Sequence, residues 1–333
     1  MTLRARTLAV TASLWLGASF AGCASSEASP IAILDGVASD TASVVVVSRE
    51  HPSDPMVCTA FLVAPDLLLT ARHCVASVAG RGCAVSALDV LEGATFAAYE
   101  GASVDASSTP RAIVAARVEP GSVGQSMCGN DVAVLQLAEP LRDVTPLTLR
   151  LEGPPIVGEA AVPVGYGYAT PGDDTTLYTR RMRTDAIVAT LGPASTVSGD
   201  VRLTEAEWTL SVGPCAGDSG GPALDGTGAV IGVMSRGVQA SCTDMIYGRI
   251  DAHAAWLSEE IAASYARTGT SPPDDAAIAV DDAGAPDGGA VVDAGVAGGS
   301  GGCTASGSSR PGALAWLALV AGVVVSLRRR SPR

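Results

Sequence analysis

The sequence from Gly213 to Pro222 reads GPCAGDSGGP, and it is the most informative segment of the chain. It places Ser219 in a glycine-rich turn, and Pro222, Gly226 and Gly228 prevent a helix from following it. A serine hydroxyl is a weak nucleophile unless an adjacent base takes up its proton and an acid orients that base. The stretch therefore predicts a nucleophilic serine if the rest of the chain supplies a histidine and an acid.

Two upstream motifs supply these partners. His73 lies in TARHC, Thr70–Cys74, directly after an apolar segment, and Asp131 lies in NDVAVL, Asn130–Leu135, at the start of another. Taken singly, a histidine in a small domain is often structural and an aspartate before a strand is often a turn residue. Together with Ser219 they provide nucleophile, base and orienting acid, so we predict a catalytic triad.

Gly217–Gly221 also matches the nucleophile turn of α/β-hydrolases. That fold needs a base after the serine, where the chain offers only His253, and it needs a helix where this sequence has Gly221 and Pro222. The alternative is therefore disfavoured.

The middle of the chain has an all-β pattern with one helix. A helix is predicted over Asp251–Tyr265, where apolar residues recur near helical spacing. The strands are predicted from short apolar segments separated by Gly, Pro, Asp and Ser. These segments are Val44–Val47, Phe61–Val63, Leu67–Leu69, Ile113–Val118, Val132–Leu137, Ala161–Val164 and Val230–Met234.

Composition excludes several classes of protein. The 333 residues carry 21 Arg and no Lys against 34 acids, so the net charge is −13. Such a chain repels phosphate backbones, and nucleic acid is not expected as a partner. Of the eight cysteines, six lie between Cys58 and Cys242, which suits three disulfides in an oxidising compartment. The chain has only three histidines and no CxxC pair, so few residues could serve as ligands of a metal ion.

The N-terminal residues predict export. Arg4, Arg6 and the apolar stretch after them are typical of a signal peptide over residues 1–22, with a short propeptide at 23–32. The sequence before Cys23 resembles a bacterial lipoprotein cleavage box, in which Cys23 would carry lipid. An ordinary signal cleavage with Cys23 incidental is the alternative.

The C-terminal residues predict that the protein is sorted to the cell surface. Residues 267–302 are rich in Gly, Ala, Asp and Pro and are predicted to be a disordered acidic linker. Residues 303–333 contain Cys303, the apolar run Gly312–Leu327 and an arginine-rich end. This order resembles the sorting signal of myxobacterial surface proteins, which would require a sorting protease. A plain transmembrane anchor is the alternative.

Over residues 33–266 the chain resembles the trypsin/chymotrypsin family of serine endopeptidases. The resemblance rests on the triad motifs and on four further matches: Gly165-Tyr166-Gly167, where the family has Gly-Trp-Gly; Ile231–Gly237, with Arg236 in place of the usual Trp; Ile246–Ile250; and the helix with Trp256. The resemblance implies two orthogonal six-stranded antiparallel β-barrels with a C-terminal helix, and the triad in the cleft between them. It also implies protein or peptide substrates cleaved through an acyl-enzyme, and no cofactor or metal; a monomer is expected.

The same resemblance implies roles for other residues. The N–H groups of Gly217 and Ser219 would form the oxyanion hole. Ser235 would support Asp131, and with Gly237 it would pair with the substrate backbone. Disulfides would join Cys58 to Cys74 and Cys215 to Cys242, which leaves Cys83 and Cys128 to pair.

Activation in this family joins a new N-terminal isoleucine to the aspartate before the nucleophile, here Asp218. Ile33 is the best match for that isoleucine and Ile31 is the alternative. Neither follows an arginine, so a separate activating protease is expected.

Substrate preference is predicted from the residues expected to form the pocket. Gly213 would stand at its floor, where enzymes that cleave after Lys or Arg carry an acid. Met245 would fill part of the wall and favour small or medium apolar residues. A register one residue different would place Asp244 in the pocket and restore a basic preference. A protease-fold binding or adhesion module without activity is the alternative to an enzyme, and the complete triad argues against it.

Overall fold

The computed structural model describes residues 33–78, 87–169, 178–195, 202–238 and 241–273. All of these residues lie in the first of the two units into which the chain divides, Met1–Ala279 and Val280–Arg333. They form a mostly β structure with one C-terminal α-helix, as the sequence predicts. In chain order the strands are β1 Val37–Ala38, β2 Val44–Glu50, β3 Met56–Ala64, β4 Leu67–Thr70, β5 Ala76–Val78, β6 Ala87–Val90, β7 Thr95–Tyr99, β8 Arg111–Val118, β9 Ala133–Leu137, β10 Val162–Gly165, β11 Arg181–Met182, β12 Val188–Leu191, β13 Ala194–Ser195, β14 Arg202–Leu203, β15 Glu207–Leu210, β16 Pro222–Leu224, β17 Val230–Val238 and β18 Thr243–Arg249.

The first half of the structure is a closed antiparallel barrel of six strands in the order β2-β3-β4-β9-β8-β7. Strands β2, β3 and β4 are largely apolar on both faces because both faces are covered. Along β2, Val45 and Val47 pack with the residues that fill the barrel. Val44 and Val46 pack in a second cluster that contains strand residues of the other half and the C-terminal helix. Successive strand residues point to opposite faces, so two buried faces require an unbroken apolar run.

The second half is one sheet of eight strands in the order β1-β11-β10-β16-β17-β18-β15-β12. The chymotrypsin-like architecture is confirmed, although among the described residues this half forms an open half-barrel, whereas the first barrel is closed. Its interior contains Trp208 stacked on Tyr247, with ring centroids 4.7 Å apart. The short pairs β5–β6 and β13–β14 lie outside the two main sheets.

The predicted helix is present, with bounds slightly different from the predicted ones. A 3-10 turn over Asp251–His253 leads into α1, Ala254–Thr268, and Gly269 ends the helix in the left-handed region with φ of +65°. The helix therefore runs past the predicted domain end at Ala266. Its buried Trp256, Leu257 and Tyr265 pack on the first-barrel strands. No helix among the described residues is long and apolar enough to cross a membrane.

Two of the three predicted disulfides are present, Cys58–Cys74 and Cys215–Cys242. Cys128 is also disulfide-bonded, and its predicted partner Cys83 lies outside the described residues. The predicted signal peptide, propeptide and C-terminal sorting signal, with Cys23, Ile31 and Cys303, lie outside them as well. So does the predicted linker after residue 273.

Candidate active site

Strand pairing brings His73 and Asp131 together. Thr70 at the end of β4 pairs with Ala133 at the start of β9. Because these strands are antiparallel, the end of one and the beginning of the other lie at the same edge of the barrel. His73 occupies a 3-10 turn, Arg72–Cys74, directly after β4, and Asp131 lies in the segment that leads into β9.

Asp131 is buried and held by three hydrogen bonds. Its Oδ2 lies 2.8 Å from Nδ1 of His73 and accepts the Ser235 hydroxyl at 2.5 Å, and its Oδ1 accepts the backbone N–H of His73 at 2.9 Å. An ionised carboxylate accepts the proton on Nδ1, so Nε2 of the neutral ring is left as the acceptor.

The two groups shift each other's pKa in opposite directions. Burial raises the pKa of Asp131, but the charge of His73 and the three hydrogen bonds outweigh burial, and the pKa lies below its ordinary value. Burial lowers the pKa of His73, but the charge of Asp131 and its hydrogen bond outweigh burial, and the pKa lies above its ordinary value. The arrangement therefore strengthens His73 as a base.

The second half of the structure contributes Ser219. The carbonyl of Ser219 accepts the N–H of Thr59 on β3 at 2.8 Å, and the Thr59 hydroxyl donates to the carbonyl of Gly217 at 2.9 Å. Gly220 has φ of +83°, and a Cβ there would overlap the carbonyl oxygen of Thr59 and the hydroxyl of Thr70. The glycine is required because the serine turn lies directly against the backbone of the first barrel.

Gly217 and Ser219 form a pair of free hydrogen-bond donors. Within the described residues neither backbone N–H has an acceptor. Gly217 has φ of +97°, a conformation that favours glycine. Two free N–H groups beside a nucleophile can stabilise negative charge on a substrate oxygen.

His73 and Ser219 line one cleft of about 210 Å³. The described residues contain no hydrogen bond from the Ser219 hydroxyl to His73. In free enzymes such bonds are often long and shorten when substrate binds. The sulfurs of Cys58 and Cys74 also lie within 4.8 Å of a His73 nitrogen, but they form a disulfide and cannot ligate a metal as thiolates.

The same cleft contains three of the four predicted pocket residues. Ser235, Gly237 and Met245 line it, whereas Gly213 does not. A Cβ on Gly237 would overlap the Met245 sulfur, so the thioether fills the space beside this glycine. Gly213 lies instead against Ile33 and Pro163, since a Cβ there would be 3.2 Å from a side-chain carbon of each.

Methionine dominates the apolar part of the cleft. Met56, Met127 and Met234 line it together with Met245, and they come from both halves of the fold. Asp244, which the alternative register would place in the pocket, is half-buried and does not line the cleft. Its Oδ2 is nevertheless buried without a hydrogen-bond partner among the described residues.

Asp218 is buried beside the nucleophile without a cationic partner among the described residues. It accepts the N–H groups of Gly167 and Cys215 at 2.8 Å and 2.9 Å. Burial raises the pKa of Asp218 to about 7, because these two hydrogen bonds offset only part of the loss of hydration. Ile33, the predicted activation residue, is fully buried, and the next N–H, that of Leu34, donates to the carbonyl of Gly213 at 2.9 Å.

Glu207 is a site residue that the sequence did not indicate. It is 1% exposed, accepts the N–H of Gly129 at 3.0 Å and forms an ion pair with Arg236. Gly129 lies in the segment that carries Asp131, and Arg236 directly follows Ser235, which donates a hydrogen bond to Asp131. The Glu207 carboxylate therefore links the segment that carries Asp131 to the strand that carries Ser235. The only signal in the sequence is a charged residue at the start of the buried strand β15.

Comparison with known proteins agrees with this geometry. Two solved structures resemble the chain: one titled "Structure of GrC", 19% identical with a TM-score of 0.53, and neuropsin, described as a serine protease expressed in the limbic system of mouse brain, 16% identical with a TM-score of 0.51. Each alignment covers 69% of this chain and 100% of the other, and at these identities it shows the fold alone. A search of the curated proteins finds no match. The family model described as Trypsin matches residues 33–257, more than half of the chain, so the chain belongs to the Trypsin family of serine-type peptidases.

Proposed function

We propose that this protein is an exported serine endopeptidase that cleaves protein or peptide substrates through an acyl-enzyme. The observation that carries the proposal is the buried Asp131, hydrogen-bonded to His73 on the wall of the cleft that also contains Ser219. A binding module that only retained the fold would have no need for an unpaired donor pair beside a serine.

In the proposed mechanism Ser219 attacks the scissile carbonyl while His73 Nε2 takes up its proton. Asp131 stabilises the imidazolium that forms, and the N–H groups of Gly217 and Ser219 stabilise the oxyanion. His73 then gives the proton to the leaving amine. Water next attacks the acyl-enzyme while His73 takes up its proton, and His73 returns that proton to the Ser219 oxygen as the acid product leaves. Gly237, on β17, would hold the substrate backbone as an added strand.

A second cavity adjoins the catalytic cleft. A space of about 320 Å³ lined by Tyr166, Tyr168 and Tyr178 includes Gly217, and it shares Met56 and Ala216 with the catalytic cleft. We propose that residues after the scissile bond occupy it.

We propose that cleavage after Ala32 activates the enzyme. The match to the family model begins at residue 33, and the Ile33 side chain is buried next to Gly213. A free amine at Ile33 would give the buried Asp218 the cation that it otherwise lacks. N-terminal sequencing of active protein should return Ile33, and an active chain that still begins before residue 33 would contradict the proposal.

For substrate preference we propose small or medium apolar residues before the scissile bond. Met245 fills the space beside Gly237, and thioether side chains adapt to apolar groups. The unpaired Oδ2 of Asp244 favours a second candidate, cleavage after Arg or Lys, if substrate draws this carboxylate into the pocket. A peptide library distinguishes the two, since cleavage mainly after basic residues would support Asp244.

We also propose a location outside the cytoplasm, on the cell surface or in the medium, supported by the disulfides Cys58–Cys74 and Cys215–Cys242. Deletion of residues 303–333 should release active enzyme into the medium. Retention on the cells would instead point to Cys23 as the anchor.

Labelling with a serine-directed fluorophosphonate tests the proposed activity. The activated protein should be labelled, and both Ser219→Ala and His73→Ala should abolish labelling. Ser258→Ala, a change on the C-terminal helix, is the matched control and should leave labelling unchanged. If folded, cleaved wild-type protein takes up no label, the alternative of a binding module is favoured.

A further inference from the structure

Arg49 is a buried arginine at the end of β2. It lines the cavity proposed above for residues after the scissile bond, but no step of the mechanism uses its charge. Its side chain is 1% exposed. Burying a guanidinium is unfavourable unless its charge and its donors find partners. Among the described residues its one carboxylate partner is Asp54, at 2.8 Å, and that side chain is 38% exposed.

One nitrogen of the guanidinium, Nη1, points at the turn that carries His73 and at the residues just after it. Nη1 donates to the backbone carbonyls of His73, Cys74 and Ala76 at 3.1, 3.4 and 3.0 Å. A short helical turn leaves its last carbonyls without partners inside the turn. Nε donates to the carbonyl of Asp54 at 3.0 Å, which holds the guanidinium in place from the other side.

We infer that Arg49 is a positioning residue for the proposed reaction, which both fixes the turn that carries His73 and biases the imidazole toward its neutral form. The inference rests on the proposed function. A cation at the carbonyl end of the turn stabilises the backbone there, and its charge opposes a second positive charge on His73.

The electrostatic part of this inference depends on every charge around the turn. Asp131 faces the ring from the segment before β9, Arg72 lies on the turn itself, and Arg49 with Asp54 faces the turn from the β2–β3 side. Burial lowers the pKa of His73, Asp131 raises it, and the charge of Arg49 lowers it. Arg49 thus moderates the upward effect of Asp131 on the pKa of His73.

Variants of Arg49 in the activated enzyme separate charge from geometry. For Arg49→Met we expect kcat/KM to fall by about tenfold or more, because a displacement of 1 Å can cost on the order of 100-fold. We also expect the acid limb of the pH profile to move to higher pH. Arg49→Lys should lose part of kcat/KM but keep the acid limb near its wild-type position. Rates are divided by the number of sites that the fluorophosphonate titrates, so unfolded protein is not counted.

Arg111→Met is the matched control. Arg111 lies on β8 of the same barrel, its side chain is 52% exposed, and it pairs with Glu100. Its loss removes one positive charge and should move neither kcat/KM nor the acid limb. Asp54→Asn, a change at a partly exposed residue, leaves the charge of Arg49 less compensated and should move the limb to lower pH. This variant tests the inference even if Arg49→Met fails to fold.

Direct titration of His73 by NMR keeps this inference separable from the proposed function. With only three histidines in the chain, the imidazole signals of Ser219→Ala protein are few enough to assign. The midpoint of His73 should rise in Arg49→Met and fall in Asp54→Asn. Unchanged midpoints and unchanged normalised rates would overturn the role of Arg49. If the midpoints shift as expected but the protein with Ser219 intact takes up no label, only the proposed function is refuted.

Discussion

Asp218 makes the stability of the uncleaved protein depend on pH in a way that can be calculated. The folded chain raises the pKa of this buried carboxyl from 3.8 to about 7. Between these values the folded state holds a proton that the unfolded state has lost, so stability falls as pH rises. The shift of about 3 units at about 1.4 kcal/mol per unit corresponds to about 4 kcal/mol, lost progressively between pH 4 and pH 7.

Asp218→Asn removes this titration and measures its size. In chains that carry Ser219→Ala, which prevents self-cleavage, we expect the variant to be close to wild type in stability at pH 4 and more stable by about 4 kcal/mol at pH 8. The assay is chemical denaturation across this range, and the difference between the two chains isolates Asp218 from other groups. Asp143→Asn removes an exposed carboxylate and should show no such trend.

Cleavage before Ile33 should reverse the loss of stability that Asp218 causes at high pH. An ammonium beside Asp218 favours the ionised carboxylate, so the cleaved protein should recover most of the stability that the uncleaved protein loses at pH 8. Parallel stability curves for wild type and Asp218→Asn over the whole pH range would refute the argument that Asp218 is buried without a partner.

Three further changes test single contacts of the site. Ser235→Ala leaves Oδ2 of the buried Asp131 with one partner fewer and should destabilise the fold by about 2 kcal/mol, measured by urea denaturation. Gly220→Ala forces a Cβ against β3 and should abolish fluorophosphonate labelling, while Gly226→Ala, where a Cβ meets nothing within 4 Å, should label normally. Met245→Gly empties the space beside Gly237 and should raise the kcat/KM ratio of Phe over Ala substrates by about tenfold or more, measured with matched peptides; an unchanged ratio would place the pocket elsewhere.

The local chemistry of the site could be read from the sequence. The GPCAGDSGGP motif specifies its turn because Gly213, Gly217 and Gly220 have positive φ, and Gly220 also lies too close to the first barrel to carry a Cβ. Short apolar segments between turn residues were enough to predict a mostly β fold. That a strand such as β2 is covered on both faces became clear only from the structure.

The contacts between distant segments required the tertiary structure. The sequence placed Gly213 in the pocket, which it does not line, and indicated only Met245 of the four methionines that line the cleft. Both outcomes depend on how the two halves meet. The sequence did not indicate the roles of Glu207 and Arg49, because these roles also depend on contacts between distant segments. A buried charge is recognised by the partners that surround it, and the carbonyls through which Arg49 contacts the turn of His73 lie 24 to 27 residues away along the chain. Motifs encode the chemistry of a turn locally, whereas burial and electrostatic support arise only when separate strands pack together.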